Sequence, residues 1–409
     1  MRTNRGLRRV VCAGAAVGAL AVAGIVPATA ASAVTSKAPK GSPVVFHVVV
    51  SETGFAASLG ATEVKAMEGL RNEVNTAGGI RGHPMVLTIK DNNSTPATAV
   101  SLASKWVGEK VPFILNGSVT AVDKAVDALA TPSGPFIYDL SPGDTPKITT
   151  TVFSAGVGIE TLAKGYLTYF KAKGLTKVAI INGSTSSGTF GYGDFVKALK
   201  TKKLSGITVT SHQTFTPTAT SVTTQMAAIK ASHPQALVIW VTGAPVGTVF
   251  KGMSSLGMET IPTVTTDGNG SYTLLTKLKT VRPKKLYIAS GTELASPAEL
   301  KPGPVRSAVA GMDRAVAAEH THVGTGFALG YTPALLMVDA LKKLGLHATA
   351  KQITSYMEHL HHVPGVFGYH TTSPKSTHRG SVVSDVHVYT FNGRSFVLLS
   401  STGGRPLGK

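Results

Sequence analysis

Cysteine, acidic residues and aromatic residues are all scarce in this chain. Its 409 residues include one cysteine, Cys12, in an N-terminal apolar segment, so the rest of the chain has no thiol, no disulfide and no cysteine metal ligand. Catalysis by a cysteine nucleophile is therefore excluded beyond that segment. Asp and Glu number 21 against 40 Lys and Arg, which gives a formal net charge of +19 and an attraction to anionic partners.

This excess of positive charge has two interpretations. Nucleic-acid binding is not expected, because the lysines are scattered along the sequence, for example at Lys164, Lys177 and Lys203, without a cluster interleaved with aromatic residues. For an exported protein, the charge predicts either electrostatic association with an anionic cell wall or membrane surface, or simply a well-solvated surface.

Motifs of common enzymes are absent from the sequence. The glycine-rich run at 188–193 lacks the Lys-Ser/Thr pair of a phosphate-binding loop and the spacing of a dinucleotide fingerprint, and no G-x-S-x-G nucleophile elbow occurs. Two groups of histidines could suggest metal ligands: His320 with His322, and His359 with His361 and His362. Residues two apart do not face each other on a helix, so we expect exposed histidines and no metal site. We predict that the chain is not an enzyme and uses no cofactor.

The first 33 residues have the composition of a secretory signal peptide. A start with four arginines precedes an apolar run over 10–26, and two A-x-A cleavage sites end at Ala30 and Ala33. An anchoring helix is the alternative, but glycines and a proline interrupt a run that is short for a membrane span. Cys12 stands at the start of the apolar run, so lipidation is not expected. We predict a secreted, extracytoplasmic protein with a flexible leader over 34–43, and both general and twin-arginine export stay open.

A repeated strand–helix–strand pattern follows the leader. The apolar run 44–50 ends at Ser51, and apolar residues then recur three or four apart from Val64 to Val74, as on one face of a helix. A second strand over 85–90 continues the cycle, which indicates parallel strands with helical crossovers. In such sheets ligands bind beyond the carboxyl ends of the strands, so function should sit in the loops that open at Ser51, Asp91, Asn116 and Asp139.

The rest of the chain predicts a second unit of the same kind. Strands over 177–182, 207–210, 236–241, 262–265 and 286–289 alternate with helices, and a Gly/Ser-rich loop over 183–193 is expected before a helix that starts at Asp194. Three helical patterns then lead to a hairpin around Asn392-Gly393. Helices followed by a hairpin do not extend a parallel sheet in order, so the chain is expected to cross between the two units more than once.

Several of these segments resemble the type I periplasmic binding proteins, specifically the branched-chain amino-acid (Leu/Ile/Val) binding proteins of ABC importers. The stretch 73–82, Glu-Val-Asn-Thr-Ala-Gly-Gly-Ile-Arg-Gly, is similar to the family's IN-x-x-GGI-x-G helix end. The first strand ending in Ser-Glu-Thr-Gly, the loop Asp91–Pro96 and Tyr192-Gly193 also match, with most of the similarity in the first half of the chain.

The resemblance implies an α/β fold with two doubly wound lobes joined by three hinge crossings, near Phe153, Ala289 and Gly365. It places residues 44–153 and 290–365 in the first lobe and residues 154–289 and 366–409 in the second. The ligand is then expected to be enclosed between the lobes.

Ligand candidates in the first lobe lie in two loops. The loop 116–120 precedes a helix, whose N-terminus suits a carboxylate, and the family has a carboxylate-binding hydroxyl that corresponds to Ser118. Thr120 is a second candidate, although with Asp123 three residues later it also fits a helix cap. In the loop 139–145, the resemblance indicates Ser141 and Gly143. Asp144 could pair with an ammonium group or serve the turn alone.

Two candidates lie in the second lobe. Tyr192 matches a tyrosine that closes over the ligand in the family, and half-buried packing is the alternative. Asp267 follows a strand where the family has an acidic residue for the ligand's amino group, and a carboxylate there would pair with a cation. Around Val241–Pro245 the family has an aromatic residue, whereas this chain has small residues. Leucine therefore cannot simply be carried over as the ligand, and an amino acid, amide or carboxylate is expected.

The predicted function is that of an extracellular solute-binding protein which delivers a small amino acid-like or carboxylate ligand to an ABC permease. The alternative is a ligand-sensing module that signals to a membrane partner by the same closure. A monomer is expected in either case.

Overall fold

The computed structural model describes residues 38–143 and 145–408, which form one compact unit. The predicted signal peptide, the first part of the leader and Asp144 lie outside the described residues. None of the helices in the described ranges combines the length and apolar character that crossing a membrane requires.

The first sheet is built from five parallel strands in the order β2-β1-β3-β4-β5. Its elements are β1 (Val44–Val50), α1 (Ala57–Thr76), β2 (Met85–Asp91), α2 (Pro96–Gly108), β3 (Phe113–Asn116), α3 (Thr120–Asp127), β4 (Phe136–Asp139) and β5 (Val152–Ser154). Buried aliphatic and aromatic residues dominate β1, β3 and β4, as expected for strands covered on both faces. The strands end together, with Val49 paired to Asn116 and Asn116 to Asp139, so their loops share one edge.

The second sheet has seven strands in the order β14-β13-β10-β9-β8-β6-β7. The helices and strands up to its last parallel strand are α4 (Ile159–Ala172), β6 (Lys177–Gly183), α5 (Ser186–Leu199), β7 (Thr208–Phe215), α6 (Thr223–Ala231), β8 (Ala236–Trp240), α7 (Pro245–Ser255), β9 (Thr263–Thr265), α8 (Tyr272–Lys277) and β10 (Leu286–Ser290). The remaining elements of the chain are α9 (Pro304–Ala318), α10 (Thr325–Leu344), α11 (Ala350–Glu358), β11 (Val363–Gly365), β12 (Gly368–His370), β13 (His387–Phe391) and β14 (Phe396–Leu398). Strands β6 to β10 are parallel, whereas β13 and β14 add an antiparallel hairpin.

The chain passes between the two sheets more than once, as the tail of the sequence predicted. After β10 in the second sheet, α9 and α10 return to pack against α1 of the first, and β13 and β14 then rejoin the second. This arrangement confirms the predicted fold class of two doubly wound α/β lobes.

The predicted loop over 183–193 is wrong, because α5 already begins at Ser186. Its glycines allow close packing. A Cβ on Gly188 would lie 1.8 Å from the Gly183 carbonyl oxygen, and one on Gly191 would lie 1.8 Å from Cδ1 of Trp240. Tertiary contacts thus override the low helix propensity of glycine.

Candidate functional site: the cleft between the lobes

A cleft of about 420 Å³, including its mouth, lies where the carboxyl ends of the strands of the two sheets face each other. The loops after β3 and β4, with Leu59 and Leu329, line one side. The other side is formed by Ile159, Ser187, Trp240, Thr242 and the segment Thr266–Gly268. Its mixture of apolar and hydroxyl-bearing residues is typical of small-molecule sites.

The structure brings five of the seven predicted ligand candidates to this cleft. They are Ser118, Thr120, Ser141, Gly143 and Asp267. Tyr192 does not line the cleft. Its ring stacks on His212, with centroids 3.6 Å apart. The seventh candidate, Asp144, is not described.

Ser118 is anchored to a buried carboxyl group. Its hydroxyl donates to Oε2 of Glu63 on α1, and its oxygen accepts from the Ser51 backbone N–H at 3.2 Å. Glu63 is fully buried, and this burial raises its pKa to about 8. The carboxyl group is therefore mostly neutral at pH 7, and it can donate a hydrogen bond as well as accept one.

The predicted loop residues Ser51 and Asp91 support the site without lining it. Ser51 Oγ donates to Asn92 Oδ1 at 2.7 Å, and Asn92 Nδ2 donates to the Gly117 carbonyl oxygen at 2.6 Å. Asp91 accepts from the Thr53 backbone N–H at 3.1 Å. These bonds hold the loop that carries Ser118 against the ends of β1 and β2.

Thr120 and Ser141 form a pair of hydroxyls on the first lobe. Their oxygens are 3.2 Å apart, and Ser141 Oγ accepts from the Gly143 backbone N–H at 3.1 Å. Thr120 is the first residue of α3 and follows the N-cap residue Val119, so the cap alternative for Thr120 is wrong. A Cβ on Gly143 would lie 1.5 Å from Thr120 Oγ1, which is why this loop needs glycine.

Buried acidic residues lie close behind these hydroxyls. Asp123 and Asp139 are fully buried, and both have raised pKa values because of burial, with a further contribution from neighbouring carboxyl groups. Asn116 Nδ2 donates to Asp139 Oδ1 at 2.9 Å. Burial and mutual repulsion therefore favour the protonated forms of these two carboxyl groups.

Asp267 supplies a carboxylate from the second lobe. It opens a short 3₁₀ turn directly after β9 and is 6% exposed. Burial raises its pKa to about 6, an effect limited by a hydrogen bond from the Gly268 backbone and by the charge of Arg379. At pH 7 the group is thus mostly ionised in a nearly water-free setting, where a cation would be its natural partner.

Sequence reasoning missed three residues at this site. The hydrophobic pattern of α1 gave no signal for Glu63, because an acidic residue in a helix is ordinarily expected on the exposed face. Asn269 links the second-lobe loops, donating to the Val241 carbonyl oxygen at 2.8 Å and accepting from the Gly243 backbone N–H at 2.8 Å. Trp240 provides an aromatic wall, and its place at the end of a parallel strand was the signal that could have found it.

The part of the chain that the structure describes holds no group of three His, Asp or Glu side chains arranged for a metal ion. His320, His322, His359, His361 and His362 are exposed, as expected from their spacing. What the cleft offers is hydroxyl groups on one lobe, a carboxylate on the other, and apolar contacts from Leu59, Trp240 and Leu329.

Comparison with known proteins places this geometry in a family. A Leu/Ile/Val-binding protein homolog from Brucella melitensis is 25% identical over 221 residues, which is 52% of this chain and 58% of that protein. An extracellular ligand-binding receptor from Rhodopseudomonas palustris has a similar fold, with a TM-score of 0.78 at 18% identity over 88% of this chain and 100% of that one. The branched-chain amino-acid transporter substrate-binding protein LivJ of Streptococcus pneumoniae, solved with isoleucine, gives a TM-score of 0.73 at 20% identity over 87% and 99% of the two chains. The sequence profile for periplasmic binding proteins matches residues 43–395. The predicted resemblance is confirmed, and the chain belongs to the periplasmic binding protein family.

Proposed function

We propose that the chain is an exported solute-binding protein that encloses a small amino acid-like ligand between its lobes and delivers it to an ABC importer. The observation that carries this proposal is that Thr120, Ser141 and Asp267 face one cavity from opposite lobes. We assign residues 44–153 with 290–365 to one lobe and 154–289 with 366–409 to the other, with crossings near Phe153, Ala289 and Gly365.

The first lobe suits the carboxylate of such a ligand. The hydroxyls of Thr120 and Ser141 lie 3.2 Å apart at the N-terminal end of α3, where the helix dipole favours negative charge. Burial favours the protonated forms of Asp123 and Asp139 behind them, which reduces repulsion of a ligand carboxylate. Ser118 joins this group when neutral Glu63 donates to its oxygen and thereby leaves the hydroxyl hydrogen for the ligand.

The second lobe suits an amino group. Asp267 is buried and mostly ionised at pH 7, and it has no Lys or Arg ion-pair partner within 4.0 Å among the described residues. A ligand ammonium group would offset the cost of burying this charge. Because opposite ends of the ligand then contact opposite lobes, binding stabilises the closed form.

The rest of the cleft limits the size and polarity of the ligand. Leu59, Ile159, Trp240 and Leu329 offer apolar surface to a side chain, while Ser187 and Thr242 offer hydroxyl groups. This combination favours an amino acid or a closely related amide or carboxylate of modest size. The names of the relatives, which include a binding protein solved with isoleucine, agree with that class.

A thermal-shift screen of the purified protein over amino acids, amides and small carboxylates tests the proposal. A ligand at 100 times its Kd should add about 2.7 kcal/mol to the free energy of unfolding. The absence of a shift throughout the panel would count against the amino acid class.

The Asp267→Asn variant tests the assigned role of that residue. Loss of a charge-assisted hydrogen bond is worth about 1.5–3 kcal/mol, so affinity for a zwitterion should fall about 10- to 150-fold, as measured by calorimetry. The analogue without the amino group should lose much less. Asp194→Asn, which alters an exposed ion pair with Lys197, is the matched control and should leave both affinities unchanged. Equal losses for the two ligands would remove the role of Asp267.

A further inference from the structure

The end of the second lobe that lies away from the cleft carries a concentration of positive charge. The parallel strands begin together at this edge, with Lys177 paired to Thr208, Leu237 to Thr263 and Thr263 to Leu286. The crossover helices α4, α5, α6 and α8 run opposite to the strands, so their C-terminal ends reach the same edge. Lysines that are far apart in sequence are therefore gathered here.

We call this surface the basic pole and define it by eleven lysines. They are Lys171, Lys173, Lys177, Lys200, Lys202, Lys203, Lys230, Lys277, Lys279, Lys284 and Lys285. All are exposed except Lys171, which is half-buried and donates to the carbonyl oxygens of Lys203 and Ser205 at 2.9 and 2.7 Å. Among the described residues none of the eleven forms an ion pair within 4.0 Å. The acidic residue at this edge is Glu259, whose carbonyl oxygen accepts from the Lys284 backbone N–H at 2.8 Å.

The excess of positive charge is concentrated in one part of the molecule. Residues 154–290 contain fifteen Lys and Arg against four Asp and Glu, whereas residues 38–153 contain nine against ten. A chain that only needed a solvated surface would not require this asymmetry. Repulsion among unpaired lysines at one edge costs stability, and that cost is offset when an anionic partner covers them.

We propose that the basic pole docks the protein reversibly on a lipid bilayer that contains anionic phospholipids. The strands of the pole are spaced by about 4.8 Å, so five of them span about 20 Å and helices widen the surface on both sides. Such a broad edge with dispersed charges matches a planar anionic surface, and each lysine near that surface strengthens binding about fivefold.

The composition of the pole favours a bilayer over a linear polyanion. Polyanion strands are held in grooves with aromatic stacking or by the bidentate hydrogen bonds of arginine. Here the cations are lysines, and the one arginine at the edge, Arg282, is engaged with the Leu275 carbonyl oxygen and the Phe391 ring. The cleft opens at the opposite edge of the sheet, so docking would leave it accessible to ligand.

Cosedimentation of the signal-free chain with vesicles tests this inference. We compare neutral phosphatidylcholine vesicles with vesicles that contain 30% phosphatidylglycerol by design. The variant replaces six exposed lysines of the pole by glutamine: Lys202, Lys203, Lys277, Lys279, Lys284 and Lys285. The control variant makes the same change of net charge elsewhere: Lys90, Lys105, Lys147, Lys301, Lys351 and Lys375, all exposed.

Wild type and the control variant should bind the anionic vesicles, whereas the pole variant should bind at least 100-fold more weakly. Binding should be absent with neutral vesicles and lost in 1 M salt, where the Debye length falls to about 3 Å. Equal losses in the two variants would show that net charge alone acts, and no binding by wild type would also overturn the proposal. Tighter binding to soluble polyphosphate than to vesicles would overturn the proposal, because it would show that the basic pole binds a linear polyanion and not a bilayer. Both variants should keep the thermal unfolding and the ligand-induced shifts of wild type. A loss of vesicle binding can then be assigned to the basic pole and not to the cleft.

Discussion

Glu63 and Ser118 form a pair in which the protonation of one decides what the other can offer. When Glu63 is ionised, it can only accept, so the hydroxyl hydrogen of Ser118 is committed to it. When Glu63 is neutral, its own proton can be donated to Ser118 Oγ, and the hydroxyl hydrogen becomes available to a ligand carboxylate. Burial raises the pKa of Glu63 to about 8, so at pH 7 the carboxyl group carries the proton that the second arrangement requires.

Affinity for a carboxylate ligand should therefore fall about tenfold between pH 7 and pH 9, as Glu63 loses its proton. In the Glu63→Gln variant the amide group donates at every pH, so affinity at pH 7 should be retained and this step should disappear. Calorimetry at the two pH values measures both effects, and the variant corrects for titration of the ligand itself. The same pH step in wild type and variant would contradict this role of Glu63.

At the residue scale, the sequence predicted which polar loop residues lie at the cleft, but it did not predict the buried residues that support them. Ser118, Ser141 and Asp267 follow strands in a recognisable pattern, so their approach to one cleft followed from the parallel topology. Glu63 was missed because its burial depends on α10 packing against α1, a contact between residues far apart in sequence. Tyr192 stacks on His212, since the start of α5 turns its side chain away from the cleft.

Helix α5 shows that glycine has opposite effects at different positions of one element. A Cβ on Gly191 would overlap the indole of Trp240, a residue of the cleft wall, whereas nothing lies within 4 Å of a Cβ on Gly193. Local propensity alone predicts that alanine stabilises both positions.

The pair Gly191→Ala and Gly193→Ala separates packing from propensity. Gly193→Ala should raise the free energy of unfolding by about 0.5–1 kcal/mol. Gly191→Ala should lower it by about 1–3 kcal/mol and weaken ligand binding, because Trp240 must move. Urea unfolding and calorimetry measure these changes. Stabilisation by both substitutions would show that the indole is not held against Gly191.

Element boundaries were predicted well where a hydrophobic period or a turn signal was strong. The predicted first strand matches β1, α1 ends at Thr76 within the stretch 73–82 that resembles the family's helix end, and the hairpin around Asn392-Gly393 joins β13 to β14. The hydrophobic period did not identify the start of α5. The glycines there suggested a loop, whereas in the structure they allow close contacts with β6 and β8.

At the scale of the whole molecule, lysines that look scattered in the sequence converge on one pole. This convergence follows from parallel topology, since every strand start and every crossover-helix end reaches the same edge. It could not be read from spacing alone, because the lysines involved are separated by strands and helices of different lengths.

Buried titratable groups give the whole molecule a pH dependence whose sign can be derived. Burial raises the pKa of Glu63 and of Glu293 to about 8, so the folded state keeps protons that the unfolded state loses above about pH 4.5. This contribution to stability is full at low pH and is lost as pH rises through 8. Burial lowers the pKa of His370 to about 4, which acts in the opposite direction, but only below the unfolded pKa of about 6.5.

The free energy of unfolding should therefore fall between pH 6.5 and pH 9, where the carboxyl groups act without opposition from the histidines. Between pH 6.5 and pH 8, each of the two glutamic acids should lower the free energy of unfolding by about 2 kcal/mol, which urea unfolding can resolve. Glu293→Gln should reduce the slope, because its amide stays neutral and its oxygen can still accept from Ser290. Glu109→Gln, at an exposed position, should leave the slope unchanged. If the Glu293→Gln slope equals that of wild type, Glu293 is already ionised in the folded state, and its burial is balanced by interactions with neighbouring groups.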